Sequence, residues 1–366
     1  MIYVPILKNR FEEMLSLEDI QPILQKRLIP YIEVIKDEYK PRYKVDENGE
    51  FETEQKTTKT GKVINRRIKI DSTEEDIVTL EKIQNNLEGK NAFVEMLRFH
   101  DSEYDSYDPE KVKLALRLSA DFIEFRRRTI KICEYEELTP VLSIKPHFEI
   151  SEYDFLSIIN YIRAKSKPVA VRIEISLFEK YASIFRKELK ESDYLFVDIR
   201  EQPYLSQIPA LNDVGNSNVS ATKILLNSPR HAAYTKKDFK EDDWEPLIIN
   251  DVARKYTGLG FDGFGDYAGL KDSLPEDGFS SRSYAHVLIY QYDENKFWSI
   301  RNNEASEGLA GFYAIKAELN SRRGYFDPMG DCRGFERIQE LNPGSYANWN
   351  GVIVRRYIDQ MRRHIP

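Results

Sequence analysis

The sequence is poor in cysteine and contains no long apolar segment. Cys133 and Cys332 are its only cysteines, and neither lies in a CxxC or a Cys/His pattern. We therefore expect neither a disulfide framework nor a zinc site. The first apolar run ends at Lys8, which is too early for a signal peptide, and no run approaches the roughly 18 residues of a membrane helix. The sequence predicts a cytoplasmic protein with no membrane segment.

The chain also lacks an excess of positive charge. It has 54 basic and 61 acidic residues and a net charge of -7. Nucleic-acid binding through bulk charge is therefore not expected, although local basic patches are compatible with this balance. Hydrophobic residues make up 41% of the chain, which is enough for a packed core and argues against disorder.

Short apolar runs that alternate with helical patterns predict the fold. Eight runs read as strands: Tyr3–Leu7, Leu28–Ile35, Ala92–Leu97, Thr139–Ile144, Val169–Ile175, Tyr194–Ile199, Lys223–Leu226 and Gly260–Phe264. Strands separated by helices pair in parallel through right-handed crossovers. Eight such units indicate a closed (β/α)8 barrel. An open doubly wound sheet is the alternative, but no GxGxxG follows the first strand.

The helical patterns have less regular boundaries than the strands. We expect helices at about 10–26, 72–87, 109–125, 151–165, 177–191, 237–256, 308–320 and 351–364. Ser72 is the predicted N-cap of the second helix because Glu75 follows three residues later.

Two segments lie outside the repeating pattern. Residues from about 39 to 70 are polar and Lys-rich, and Asn48-Gly49 is a hairpin signal. We interpret them as an insertion after the second strand, on the face where barrels bind ligands; a solvated flap fits equally well. Residues 283–292 and 296–301 predict a later hairpin, followed by helices. We expect a single domain over residues 1–366, with its barrel core in 1–270 and these elements appended in 271–366.

Charged residues stand at the ends of the predicted strands, where barrel enzymes place their active sites. Because strand side chains alternate, Arg172 and Glu174 share one face, as do Asp198 and Arg200. The candidate catalytic residues are Glu33, Glu174, Asp198 and Asp266. The candidate ligand-binding residues are Lys8, Lys145, Arg172, Arg200, Arg230 and Tyr267. The competing interpretation is an internal salt-bridge network that only stabilises the barrel.

These residue types suit more than one chemistry. Glu33, Glu174 and Asp198 are suited to acid–base catalysis or to a divalent cation. Arg230 follows the seventh predicted strand, and the loops after strands seven and eight often bind phosphate in barrels. No GxSxG, HExxH or P-loop pattern accompanies them. The sequence therefore assigns no cofactor and no metal-ligand set.

Several of these positions resemble the Beta protein family of phages and bacteria. The similar stretches are Tyr-Val-Pro-Ile-Leu-Lys at 3–8, Ile-Pro-Tyr-Ile-Glu at 29–33, Phe-Gly-Asp-Tyr at 264–267, and a late hairpin whose tryptophan-containing strand ends at Arg301. The motif residues that carry over are Lys8, Glu33, Asp266 and Tyr267. The long Lys-rich excursion departs from the family's compact pattern.

The resemblance implies a barrel-like protein of phages, prophages or bacterial defence regions, but no defined reaction. Some relatives look to be paired with small nuclease-like proteins, which implies a protein partner. Our first hypothesis is a binding or regulatory protein in phage–host conflict, which binds a ligand or a protein partner through its charged barrel mouth. The partner would be nuclease-like, and a homodimer is the alternative. The second is an enzyme that hydrolyses a phosphorylated or nucleotide-like substrate. The third is a glycoside-directed enzyme with two carboxylates.

Overall fold

A computed structural model describes residues 1–58, 61–276 and 283–365. The strands are β1 (Ile2–Lys8), β2 (Tyr31–Val34), β3 (Arg42–Tyr43), β4 (Thr53–Thr57), β5 (Val63–Arg67), β6 (Lys69–Ile70), β7 (Ala92–Met96), β8 (Leu138–Ile144), β9 (Ala170–Glu174), β10 (Tyr194–Asp198), β11 (Thr222–Leu226), β12 (Asp242–Trp244), β13 (Gly263–Asp266), β14 (His286–Gln291) and β15 (Lys296–Arg301). The helices are α1 (Phe11–Ile20), α2 (Thr79–Leu87), α3 (Lys113–Ala120), α4 (Phe122–Lys131), α5 (Glu152–Ala164), α6 (Phe178–Glu188), α7 (Tyr204–Gly215), α8 (Val252–Lys255), α9 (Gly311–Ser321), α10 (Arg323–Phe326), α11 (Arg333–Glu340) and α12 (Tyr346–Arg362).

Eight of these strands close into a parallel barrel. Their order is β1-β13-β11-β10-β9-β8-β7-β2, so each barrel strand lies beside the next one in the chain and β13 closes against β1. Helices surround the strands, and the predicted (β/α)8 barrel is confirmed. None of the described helices is long and apolar enough to cross a bilayer.

The barrel interior changes from aromatic to charged along its axis. Phe93, Tyr31 and Phe196 pack edge to face in the lower part, with ring centroids 4.9 to 5.3 Å from the Phe196 ring. Glu33 and Glu95 follow Tyr31 and Phe93 by two residues on the same faces of β2 and β7. Carboxylates therefore occupy the carboxyl-terminal end of the interior.

Strand β13 contributes no side chain to the interior below this charged end. A Cβ on Gly265 would lie 2.5 Å from the carbonyl oxygen of Val4, and one on Gly263 would lie 2.5 Å from that of Ile2. Only glycine permits β1 and β13 to approach this closely.

The predicted insertion is present between β2 and α2. Strands β3 and β6 pair antiparallel, as do β4 and β5. Asn48-Gly49 forms a turn, as its hairpin signal predicts, and an isolated antiparallel β-bridge joins Val45 and Phe51 on either side of it. Residues 59–60 of the predicted insertion, and residues 277–282 and 366 of the appended region, lie outside the described residues.

The predicted late hairpin is also present as β14 and β15, and β12 joins it as a third strand. Helix α12 packs between this sheet and α1. It carries the buried side chains of Trp349, Tyr357 and Met361 at helical spacing.

The helix predicted at 237–256 is wrong. Residues 242–244 instead form β12, which pairs with β15, and only 252–255 are α-helical. Pro246 interrupts the helical pattern, and pairing with β15 overrides the local preference.

Several other boundaries also differ from the prediction, among them the second strand, which is shorter than expected, and the first helix, which ends at Ile20. The helix expected at 109–125 is divided, because Asp121 caps a new helix by accepting the N–H groups of Ile123 and Glu124. Thr73, not Ser72, is the capping residue, and it caps a short 3-10 turn that precedes α2. The eighth strand begins at Gly263 because Gly260, at φ 78°, ends the preceding turn.

Asp266 connects the barrel to α12. It accepts hydrogen bonds from the Tyr3 hydroxyl (3.0 Å), the Ala268 N–H (2.9 Å) and the Tyr357 hydroxyl (2.6 Å). Tyr357 lies on α12, so Asp266 faces outward from the barrel. Burial raises the pKa of Asp266 to about 6, in spite of these hydrogen bonds.

The pH dependence of stability should reveal this carboxyl group. An unfolded aspartate has a pKa of about 4, so the folded state binds the proton more tightly and loses stability as pH rises from about 4 to about 6. Because Asp266→Asn removes this ionisation, the variant should gain unfolding free energy relative to the parent protein as the pH rises from about 4 to about 6. Urea unfolding at several pH values measures it. Asp213→Asn, at an exposed position, is the control; a difference that does not vary with pH would contradict the assignment.

Candidate ligand site in the barrel mouth

Arg172 occupies the centre of the charged interior and is 2% exposed. Its Nη1 donates to Glu33 (2.7 Å) and Glu95 (2.8 Å), while Nη2 and Nε donate to Asp198 (2.7 and 3.0 Å). One guanidinium therefore binds carboxylates from three different strands. Burial alone would lower the pKa of Arg172, but Asp198 and the other neighbours raise it well above its usual value.

Lys8 extends this network toward the loop after β13. Its Nζ lies 2.7 Å from Glu33 and 2.7 Å from Asp272, and 4.4 Å from the centre of the Tyr267 ring. The Tyr267 hydroxyl donates to Glu33 at 3.0 Å. Burial alone would raise the pKa of Glu33, but Lys8 and Arg172 outweigh it and lower the pKa to about 2. Burial also opposes ionisation of Asp272, but Lys8 and Arg200 outweigh it and hold the pKa of Asp272 well below its usual range.

We call this set the buried polar layer; its members are Lys8, Glu33, Glu95, Arg172, Asp198, Tyr267 and Asp272. Every member is buried, and each has an ion pair or hydrogen bond to another member. Five of the predicted site residues thus meet in the barrel mouth, and they are engaged with one another.

A cleft of about 430 Å³ lies above the layer. Its lining residues are Glu103, Arg200, Glu201, Gln202, Pro203, His231 and Asp272. An adjoining part is lined by Lys271 and Glu276 among others. Because Asp272 belongs to both the cleft and the layer, it forms part of the cleft floor.

Arg200 is the main cation of this cleft. It adopts φ 56°, a conformation that costs a non-glycine residue about 1–3 kcal/mol. Its Nη2 lies 3.3 Å from Glu103 and 3.4 Å from Asp272, and its shielded Nη1 has no hydrogen-bond partner among the described residues. Lys145 donates to the Arg98 carbonyl (2.8 Å) and pairs with Glu103 (3.4 Å).

Glu174 and Asp266 do not join the buried polar layer. Glu174 is half-buried at the end of β9, beside Asp198 in register, and accepts from the Ser176 hydroxyl at 3.1 Å. Burial and the charge of Asp198 raise the pKa of Glu174. Asp266 faces away from the cleft, toward α12.

The described residues offer no metal-binding group of three His, Cys, Asp or Glu side chains. Of the three carboxylates suited to a cation by sequence, Glu33 and Asp198 are ion-paired with Arg172. Glu174 stands apart from them. The arrangement therefore gives no support to metal-assisted chemistry at these positions.

Three cations near the cleft form what we call the basic group: Arg230, Lys236 and Lys271. Arg230 lies 5.2 Å from the Phe239 ring centre. The Lys236 Nζ lies 3.3 Å from the Tyr346 ring centre and 3.2 Å from the Ser283 hydroxyl.

No carboxylate of the described chain forms an ion pair with any member of the basic group. Burial lowers the pKa of Arg230 to about 10. Burial also lowers the pKa of Lys236 to about 8, with repulsion from Arg230 and Lys271 adding to the effect. Within the described residues the group therefore has no ion pair, in contrast to the buried polar layer, although Glu276 attracts Lys236 from beyond ion-pair distance.

The chain matches a known protein family over nearly its whole length. The sequence profile of the Beta protein family matches residues 3–363. The chain belongs to the Beta protein family. The resemblance at the first, second and eighth strands is thereby confirmed. No curated protein sequence matches the chain significantly.

Sequence reasoning missed four residues of this Beta-family site. Glu95 and Asp272 belong to the buried polar layer, and Lys236 and Lys271 to the basic group. The alternation of β7 could have identified Glu95, because it shares a face with Phe93. The other three lie in irregular loops, where no periodicity predicts the direction of a side chain.

Replacing Arg172 should destabilise the barrel strongly. Arg172→Met leaves Glu33, Glu95 and Asp198 buried without their shared cation, and removing one partner of a buried pair typically costs about 3–5 kcal/mol. Arg172→Lys keeps the charge but cannot reach all three carboxylates, so we expect an intermediate loss. Urea unfolding measures both. Arg126→Met, which removes one bond to Ser157, should cost less than about 1 kcal/mol; an equal cost for Arg172→Met would contradict the role of the layer.

Proposed function

We propose that this Beta-family protein binds a small anionic ligand, such as a phosphate ester, at its barrel mouth through the basic group. The observation that carries the proposal is the pair Arg230 and Lys236. Both are half-buried, and within the described residues neither has a carboxylate partner. Burying an uncompensated charge is costly, and a bound anion would offset that cost.

The position of the basic group agrees with this assignment. Arg230 follows β11 and Lys271 follows β13, the seventh and eighth barrel strands. The loops after these two strands are where barrels frequently bind phosphate. Lys271 also lines the cleft, so the basic group adjoins the open space of the mouth.

The remaining predicted residues take supporting roles in this proposal. Lys8, Arg172 and Tyr267 are engaged in the buried polar layer, which contributes Asp272 to the cleft floor. Lys145 holds Glu103 in place, and Arg200 lines the cleft. The carboxylates of Glu103, Glu201 and Asp272 give the cleft an acidic side, which suits hydroxyl or ammonium groups at the end of the ligand that lies away from its anionic group.

Loss of the basic group should weaken anion binding without destabilising the fold. We expect Arg230→Met and Lys236→Met each to raise the Kd for inorganic phosphate or pyrophosphate at least about tenfold. Unfolding free energy should stay constant or increase by about 1 kcal/mol, since each variant removes an uncompensated charge. Isothermal titration calorimetry and urea unfolding measure the two effects.

Lys237→Met is the matched control, because Lys237 is exposed and adjacent in sequence. This substitution should change neither the Kd for phosphate nor the unfolding free energy. Phosphate binding that survives both basic-group substitutions, or that Lys237→Met weakens equally, would contradict the proposal.

Hydrolysis of a phosphorylated substrate is the second candidate function, and Glu174 favours it. Its raised pKa and its position at the mouth suit a general acid. Glu174→Gln should leave phosphate binding intact under either function. Only in an enzyme would it abolish release of phosphate from a phosphomonoester substrate.

We predict the biological setting of the protein from its family membership alone. A phage or defence context and a nuclease-like partner are what the family resemblance implies, and a homodimer is the alternative to such a partner. We also infer that the barrel and the appended elements form one domain, because α12 packs against both α1 and β14 and Tyr357 contacts Asp266.

A further inference from the structure

The insertion after β2 contains a two-stranded ribbon that packs against the rest of the described chain at its base, where Arg67 lies over the rings of Tyr43 and Phe51. We call β4 and β5, together with Lys62, the ribbon. All ten residues of the two strands are exposed, on both faces. A two-stranded ribbon in water is only marginally stable by itself, and this one adds nothing to a hydrophobic core. We therefore expect it to have a function other than core packing.

The ribbon is basic on a protein that is acidic overall. Its cations are Lys56, Lys62, Arg66 and Arg67, against the single carboxylate of Glu54. None of the four cations forms an ion pair within the described residues. The whole chain has a net charge of -7, so the ribbon is a local reversal of the protein's charge.

Polar side chains lie between the cations in a regular register. Gln55 and Asn65 are directly opposite each other at the centre of the ribbon. At the base, the Arg67 guanidinium lies 3.9 Å from the Phe51 ring centre, which connects the ribbon to the rest of the insertion.

We propose that the ribbon binds double-stranded DNA in its major groove. This groove of B-form DNA, about 12 Å wide, admits a two-stranded β-ribbon. Lys56 lies on β4 and Arg66 on β5, so each strand of the ribbon carries a cation that would reach the phosphates on its own side of the groove. The amides of Gln55 and Asn65 are of the type that pairs with adenine edges. The inference goes beyond the ligand site, because it uses no residue of the barrel mouth.

The distribution of charge argues against a membrane surface. A peripheral membrane element separates an apolar face from a cationic one. Here Lys56 and Arg66 lie on one face and Arg67 on the other, by strand alternation from the pairing register. Double-stranded RNA is also a poor fit, because its A-form major groove is deep and narrow.

The experiment measures binding of a fluorescent duplex of about 20 base pairs by anisotropy over a range of salt concentrations. The test variant is Lys56→Gln/Arg66→Gln, at exposed positions, and circular dichroism confirms its fold. Each lost phosphate contact lowers the slope of log K against log salt by about 0.9. We expect a slope smaller by about 1.8 and a Kd at least about tenfold higher at roughly 50 mM salt.

The matched control is Lys26→Gln/Lys90→Gln, which removes the same charge from exposed lysines preceding β2 and β7, at the other end of the barrel. It should retain DNA binding. The proposal is overturned if the parent protein does not bind the duplex, or if the control loses as much affinity as the ribbon variant. It is equally overturned if RNA duplex of the same sequence binds as tightly, or if polyglutamate competes as well as DNA.

Discussion

The buried guanidinium of Arg172 is the interaction on which the barrel mouth depends. Glu33 and Glu95 lie directly beside each other on adjacent strands. Two neighbouring carboxylates repel each other strongly in a barrel interior that contains little water. Arg172 reaches both from β9, and it binds Asp198 as well. Lys8 supplies the second cation and recruits Asp272 and Tyr267 from the loop after β13. The four carboxylates of the buried polar layer are thereby ion-paired before any ligand enters.

The sequence predicts the barrel because its strands are short, apolar and separated by helical patterns of ordinary length. Alternation along a strand also predicts which side chains share a face, and it correctly brings Arg172 to the same interior as Asp198. Elements whose structure depends on distant partners are predicted poorly. Residues 242–244 become a strand only because β15 lies beside them. Asp266 stands at the end of its strand, as the other candidates do. It lies on the outward face of β13, however, where Tyr3 packs against Phe264 and donates a hydrogen bond to Asp266.

Ion pairing separates the two kinds of polar residue in this protein. Each charged member of the buried polar layer forms an ion pair with another member, which is typical of a structural support. The basic group lies in irregular loops beside the cleft, and none of its members forms an ion pair with a described residue. Sequence position alone does not distinguish these cases, because Arg172 and Arg230 both stand near strand ends. The difference arises from which carboxylates the fold brings within reach of each cation.

A crystal structure of the protein soaked with inorganic phosphate tests this separation most directly. Phosphate should contact Arg230 and Lys236, while the 2.7 and 2.8 Å contacts of Arg172 with Glu33 and Glu95 stay unchanged. Phosphate bound instead to Arg172 or Lys8, with those ion pairs opened, would contradict the division between a structural layer and a ligand-binding group.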